Sequence, residues 1–206
     1  ENLELIMKRI QTKIFSNPFL YHYLRYLFSF GLRTKDVTSF LDSQSNDNIL
    51  DIGCGIGYYS QFVKNAKYIG VDFNESYIDL ATNRYGTEKI TFEVKDILNE
   101  SFNNNFIFNK GLLIGILHHF SDSDVNILLD KIKKTSIDFL VIQDPFYSRW
   151  HLINNLLCYF DRGKYVRRID EYNHLIANHF NILEQKIFFE RNLLSHHLVS
   201  KVTPKI

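Results

Sequence analysis

The hydrophobic pattern along this chain changes period once. Leu3, Ile6, Met7, Ile10 and Ile14 recur at helical spacing. Asn17-Pro18 punctuates that run, since Pro suits the first position of a new helix, and Leu20, Leu24, Leu27 and Phe28 carry a second helix to Gly31. A third is predicted over roughly Lys35 to Leu41. After a polar connector the period shortens. Strands are predicted at Asn48 to Ile52, Tyr68 to Val71, Ile90 to Val94, Leu112 to Leu117 and Ile137 to Ile142. The continuous apolar run from Leu112 fits a strand buried on both faces of a parallel sheet. Helices are predicted between the strands, from Gly57 to Asn65, from Asn74 to about Tyr85 and from Ser121 to about Thr135. Asn74 is a capping residue, and Ser121 with Asp124 fits a capping box. Strands alternating with helices imply βαβ units.

The alternation ends at Asp144-Pro145. Residues 146 to 179 read as two helical stretches around Asp161-Arg162-Gly163. Two strands follow, about Asn181 to Phe189 and Leu193 to Val202, joined by Glu190-Arg191-Asn192. A connection that short makes a hairpin, so one of the pair runs antiparallel to the rest. The expected organisation is an N-terminal helical cap at 1–45 and a main α/β domain at 46–206 with a helical insertion at about 146–179.

Composition narrows the classes. The 206 residues are 45% hydrophobic, enough for a sizeable core, and the formal net charge is only +1, without the basic excess of a dedicated nucleic-acid binder. Two cysteines make neither a disulfide framework nor a thiolate zinc site. No charged segment followed by an apolar run and a small-residue cleavage site is evident. The apolar stretch Pro18 to Leu32 is interrupted by His22 and Arg25 and falls short of the ~20 residues that span a bilayer. The expected home is the cytoplasm.

The chemistry concentrates in Asp51-Ile52-Gly53-Cys54-Gly55-Ile56-Gly57, between a strand and a helix. Glycines there let the chain turn sharply and let a ligand approach the backbone. The following helix start offers unpaired N–H groups to an anion. The spacing is Gly-x-Gly-x-Gly, not the Gly-x-Gly-x-x-Gly of dinucleotide sites. Asp72 ends the second strand, where a carboxylate can accept both hydroxyls of a ribose. Asp96 follows the third strand, within reach of an adenine amine.

Together these resemble the motifs of class I S-adenosylmethionine-dependent methyltransferases. Ile49 to Gly57 resembles motif I, Ile69-Gly70-Val71-Asp72 motif II, and Lys95-Asp96-Ile97 the adenine-contacting motif. Leu117-His118-His119-Phe120 is similar to the end of the fourth strand in many small-molecule members. The resemblance covers about residues 48 to 145. It implies a Rossmann-like sheet of seven strands, mostly parallel with an antiparallel last strand, and helices on both faces. It implies S-adenosylmethionine as cofactor. Asp51, Gly53, Cys54, Gly55 and Gly57, with Tyr58 beside them, would hold its methionine end and Asp72 its ribose. Phe73 would pack on the adenine, Asp96 and Ile97 would bond its edge, and Ile114 and Leu117 would floor the methyl donor. Asn109 stands where the family usually has Asp at the start of the fourth strand.

A small-molecule acceptor is expected, with no nucleic acid as partner. The sequence Asp144-Pro145-Phe146-Tyr147 superficially resembles a nucleic-acid amino-methylation motif, but it follows the fifth strand rather than the fourth. His118 and His119 are candidate bases, at the carboxyl ends of the strands where ligands bind in open sheets. As adjacent residues with no third ligand in view, they do not suggest a metal. Tyr147, Arg149, Trp150 and Arg167 mix rings and cations suited to an anionic ring-bearing substrate, and Tyr21 belongs to a helix that would close over the pocket. The competing readings are an NAD-dependent oxidoreductase, a non-catalytic cofactor-binding protein on the same fold, and a peripheral lipid contact through the N-terminal helices.

Overall fold

The structure is a computed structural model and describes residues 34–102, 107–135, 137–161, 163–189 and 195–205. The first two predicted N-terminal helices, Tyr21 and the hairpin turn lie outside these residues. The third predicted helix is present as α1 (Thr34–Leu41), with Val37, Phe40 and Leu41 buried at helical spacing.

Seven strands form one sheet: β1 (Asn48–Ile52), β2 (Lys67–Asp72), β3 (Ile90–Val94), β4 (Lys110–Ile114), β5 (Phe139–Pro145), β6 (Phe180–Phe189) and β7 (His196–Pro204). Their order is β3-β2-β1-β4-β5-β7-β6. Pairs from β3 through β5 are parallel, and β7 runs antiparallel to both β5 and β6. The order reverses between β1 and β4, and ligands of such sheets bind beyond the strand ends at that point.

Neighbouring residues on the central strands feed opposite sides of the sheet. Ile49, Leu112 and Val141 join one apolar cluster, and Leu50, Leu113 and Ile142 join the other. This is the period-two signature of strands covered on both faces. One cluster includes α1 and Tyr59. The other includes α3 (Asp122–Lys133) through Val125, Leu128, Leu129 and Ile132, and α5 (Ile169–Ala177) through Tyr172, Leu175 and Ile176. Between them in sequence lie α2 (Glu75–Tyr85), which packs on β2 and β3, and α4 (Leu152–Phe160). The two predicted caps form: Asn74 accepts from the Tyr77 N–H and Ser121 from the Asp124 N–H. No helix among the described residues is long and apolar enough to cross a membrane.

Strand β5 starts and ends later than expected, at Phe139 and Pro145, and two differences lie beside the glycine loop and the β4 terminus. The helix predicted after the glycine loop is a short 3-10 turn, Tyr58–Phe62. Its aromatic residues are costly in a helix, and the Ser60 hydroxyl donates to the Gly57 carbonyl at 2.7 Å, competing with the helical ladder. Strand β4 starts two residues early and stops at Ile114, because Gly115 turns into the left-handed region at φ 68°. Leu117 to His119 then form a second 3-10 turn rather than strand.

Candidate functional site

The glycine loop leaves β1 at the crossover point. Gly53 (φ 73°) donates to the Val71 carbonyl at 2.8 Å, and the Cys54 N–H shares that acceptor at 3.0 Å. These bonds fix the loop against the end of β2. A Cβ on Gly53 would stand 2.1 Å from Ile116 Cδ1, so the position has no room for a side chain. Gly57 (φ 73°) and Gly70 are required for a different reason, since the Phe92 ring would lie 2.7 Å from a Cβ on either. Gly55 is the exception. Its φ is 54°, and nothing lies within 4 Å of where its Cβ would be. The loop therefore presents bare backbone to an open hollow, a cradle that a side chain at position 55 would fill.

One acid is bonded to this loop and a second lies next to last on the strand that precedes it. Asp72 accepts the Gly55 N–H at 2.9 Å on one oxygen and the Asn74 N–H at 2.9 Å on the other. Phe73 beside it is 78% exposed, a large apolar ring turned to solvent. Asp51 is 1% exposed and accepts a hydrogen bond from the Tyr68 hydroxyl. Burial pushes its carboxyl up to about 7; the Tyr68 bond opposes this and the nearby Asp72 charge adds to it. A cationic ligand group is the natural counterpart for two acids so placed.

The other residues expected to hold cofactor are brought near with varied orientation. Tyr58 is exposed and stacks edge-on with Tyr59 and Phe62. Cys54 is buried against Gly70, and Ile114 is partly buried. Ile97 and Leu117 carry their side chains into the core, so only their backbone is available to a ligand. Asp96 accepts from the Leu98 and Asn99 N–H groups and from the Asn99 side chain, and its carboxyl is held below the usual range by those bonds. It shapes its own loop.

His118, a candidate base from the sequence, has both ring nitrogens engaged. It is buried, with Nδ1 2.6 Å from Asp144 Oδ1 and Nε2 3.1 Å from Asp161 Oδ1. Burial opposes charge on the ring, but the two carboxylates outweigh it and raise its pKa to about 9. An imidazolium with both N–H groups engaged has no lone pair to accept a proton at neutral pH. Asp161 is correspondingly drawn down to about 2: its burial opposes the charge, and His118 overcomes it. His119 is exposed, its ring 4.1 Å from that of His118.

Arg167 is likewise not available to a substrate. Its guanidinium donates from Nε and Nη2 to Asp122, from Nη1 to the Leu117 and Tyr165 carbonyls, and from Nη2 to the Phe120 carbonyl. All five N–H donors are consumed. The residue clamps the turn that carries His118 and His119. The remaining substrate candidates lie together. A cavity of about 440 Å³ where β5 ends and β7 begins is lined by Tyr147, Arg149 and Trp150, with His151, Arg168 and His196. Arg149 sits 5.6 Å from the Trp150 ring centroid.

Sequence reasoning missed Asp144 and Asp161, the carboxylates on His118, and Ile116, which underlies the loop. Asp144 also accepts the Leu117 and His118 N–H groups, at 3.4 and 3.1 Å.

Residues 49–136 match the family model described as a methyltransferase domain. A phosphoethanolamine N-methyltransferase of Plasmodium falciparum is 34% identical over 118 residues, 53% of this chain and 42% of that protein. A putative methyltransferase of invertebrate iridescent virus 6 is 35% identical over 79 residues, 36% of this chain and 29% of the other. The matches thus span less than half the length of these relatives. Among solved structures, N-methyltransferase NodS from Bradyrhizobium japonicum WM9, in complex with S-adenosyl-L-homocysteine, superposes with TM-score 0.69 at 15% identity, covering 94% of this chain and 91% of that one. The strand order, the glycine loop with its two acids and the matched domain lead to one assignment: residues 49–136 carry a methyltransferase domain, on a sheet with the fold of that solved methyltransferase.

Proposed function

We propose that this protein transfers a methyl group from S-adenosylmethionine to a small-molecule acceptor, with a phosphate-bearing amine as the first candidate. The observation that carries the cofactor half is the open space at Gly55, where a Cβ would meet nothing within 4 Å, with Asp72 bonded to the same residue's N–H and Asp51 on the strand that leads into the loop. Its donor set suits the group. Backbone amides meet the carboxylate of the methionine end, Asp51 its ammonium, and Asp72 the ribose hydroxyls. When bound, the cofactor supplies an electrophilic methyl on a cationic sulfur. The chain's contribution is to fix that end of the ligand and bring a nucleophile into line at near-attack distance, which can account for much of the catalysis in such displacements.

The acceptor half rests on the cavity beside β5. Arg149 and Arg168 offer cations to an anionic group, and Tyr147 and Trp150 offer ring faces to an apolar or cationic one. A relative whose activity is phosphoethanolamine N-methylation agrees with that pairing of charges. His119, exposed beside the β4 terminus, is the histidine accessible for a proton from an acceptor amine.

The test is calorimetric titration with S-adenosylmethionine and separately with NAD, followed by transfer of labelled methyl to ethanolamine and phosphoethanolamine. Binding of the first ligand alone is expected, with Asp72→Ala weakening it by ~1.5–3 kcal/mol through lost charge-assisted hydrogen bonds. Phosphoethanolamine is expected to be the better acceptor, with a preference reduced in Arg149→Ala and Arg168→Ala. Unchanged affinity in Asp72→Ala removes that residue from the site. Binding without transfer to either amine overturns the acceptor proposal and leaves the cofactor assignment in place.

A further inference from the structure

Within the described residues, one cluster of His and carboxylate groups has the geometry of a metal site. The side chains of His118, His119 and Asp161 each offer a ligand atom, and these atoms all lie within 4.8 Å of one another. Two adjacent histidines lack a third ligand in the sequence; the fold supplies it from 42 residues downstream, through the loop that follows α4. We propose that His118 Nε2, a ring nitrogen of His119 and a carboxylate oxygen of Asp161 bind a borderline divalent cation of the zinc or cobalt type.

The spacing fits. With metal–nitrogen and metal–oxygen bonds of about 2.0–2.2 Å, two ligands at a tetrahedral angle sit roughly 3.3 Å apart. His118 Nε2 and Asp161 Oδ1 are 3.1 Å apart. The outer shell is also in place. Asp144 holds His118 Nδ1 at 2.6 Å, the carboxylate–histidine arrangement that fixes tautomer and ring orientation in metal centres. Asp161 is oriented by the Gly163 N–H at 2.8 Å. The loop reaches the ring only because residue 163 is glycine, since a Cβ there would fall 1.9 Å from His118 Cδ2. The Tyr165 N–H, bonded to the His118 carbonyl at 2.9 Å, straps the same loop down.

Two imidazoles and one carboxylate favour zinc, cobalt or nickel over magnesium or calcium, which prefer all-oxygen shells. Three protein ligands leave a fourth position for water or an anionic group. His119 and Asp161 are solvent-accessible, so the ion enters from outside while His118 anchors it from within. On binding, the ion replaces the proton between His118 and Asp161, which leaves to solvent. None of this depends on the methyltransferase reading.

The experiment uses the untagged full chain and metal alone. Calorimetry with Zn²⁺ is expected to show one equivalent bound, and Co²⁺ is expected to give the intense visible ligand-field bands of a four-coordinate site. His119→Ala and Asp161→Asn should each weaken binding at least about tenfold, and Asp144→Asn by roughly 10–100-fold through the outer shell. Cys54→Ala and Cys158→Ala should leave it unchanged. His119 is on the surface, so its variant keeps the fold and decides the matter should Asp161→Asn unfold. The proposal is overturned by the absence of heat and visible bands at millimolar metal, by wild-type affinity in His119→Ala, or by loss of binding in either cysteine variant.

Discussion

If Asp51 receives the ammonium of the cofactor's methionine end, affinity must rise with pH through the neutral range. In the free protein the Asp51 carboxyl titrates at about 7, because it is buried beside a second acid. A bound ammonium reverses that preference and holds the group ionised. The observed association constant then follows the fraction of free protein in which Asp51 is already charged. That fraction is about one tenth at pH 6.0 and about three quarters at pH 7.5, an approximately eightfold gain, or ~1.3 kcal/mol. The assay is calorimetric titration with S-adenosylmethionine across that range in buffers of differing ionisation enthalpy, which counts the proton released. Asp51→Asn is the comparator. Asparagine still accepts the Tyr68 hydroxyl bond but cannot titrate, so its affinity should be low and nearly flat with pH. Any slope common to both proteins comes from other groups. A flat wild-type profile, or equal slopes in the two, refutes the placement of the ammonium at Asp51.

Further predictions concern stability. The Asp51 carboxyl has a higher pKa folded than unfolded, where it is about 3.9, so its contribution is fully present below that value and is lost as pH rises through about 7. Denaturant midpoints of the ligand-free protein should therefore fall more steeply between pH 5 and 7 than those of Asp51→Asn. Arg167→Ala should cost ~3 kcal/mol or more in urea unfolding, since it strands the carbonyls of Phe120 and Tyr165 and leaves that of Leu117 with the Phe120 N–H alone; a change under ~1 kcal/mol would show that the clamp is dispensable. Gly53→Ala and Gly55→Ala should separate two roles of glycine. The first adds an overpacking cost of about 1–3 kcal/mol against Ile116 to its left-handed strain. The second pays only the strain, about 1–2 kcal/mol, yet should lower cofactor affinity at least about tenfold because its methyl group occupies the cradle. Equal stability losses, or unaltered binding in Gly55→Ala, would count against that division.

What the sequence disclosed was local. The glycine spacing, the acid closing each of the first two strands and the two caps are written within a few residues, where backbone conformation is decided. The sheet followed from strand lengths and from one short hairpin connection. The surroundings of His118 were not legible, because they depend on pairings between distant segments. The β4–β5 register brings Asp144 to the turn after β4, and an insertion folding back brings Asp161. A pair of histidines after a strand reads the same whether their nitrogens face solvent or carboxylates. Arg167 misled for a related reason. A cation in an aromatic segment looks like a substrate ligand, and sequence cannot reveal that every donor is already bonded. The 3-10 turn after Gly57 was missed because periodicity marks a buried face without specifying helix type.

The attachment made by Arg167 and Asp161 has a consequence for anyone reshaping what this protein accepts. Residues 146–168 look like a cassette, a loop-rich addition between two strands that a designer would exchange wholesale. They are instead riveted to the segment 117–122 by the guanidinium and by the carboxylate on His118. A transplanted cassette lacking those two side chains would leave the buried His118 ring with Asp144 as its one carboxylate partner and would strip the Phe120 carbonyl of its guanidinium donor. Chimeras should therefore exchange both stretches as a unit, and natural drift in one is expected to drag the other with it.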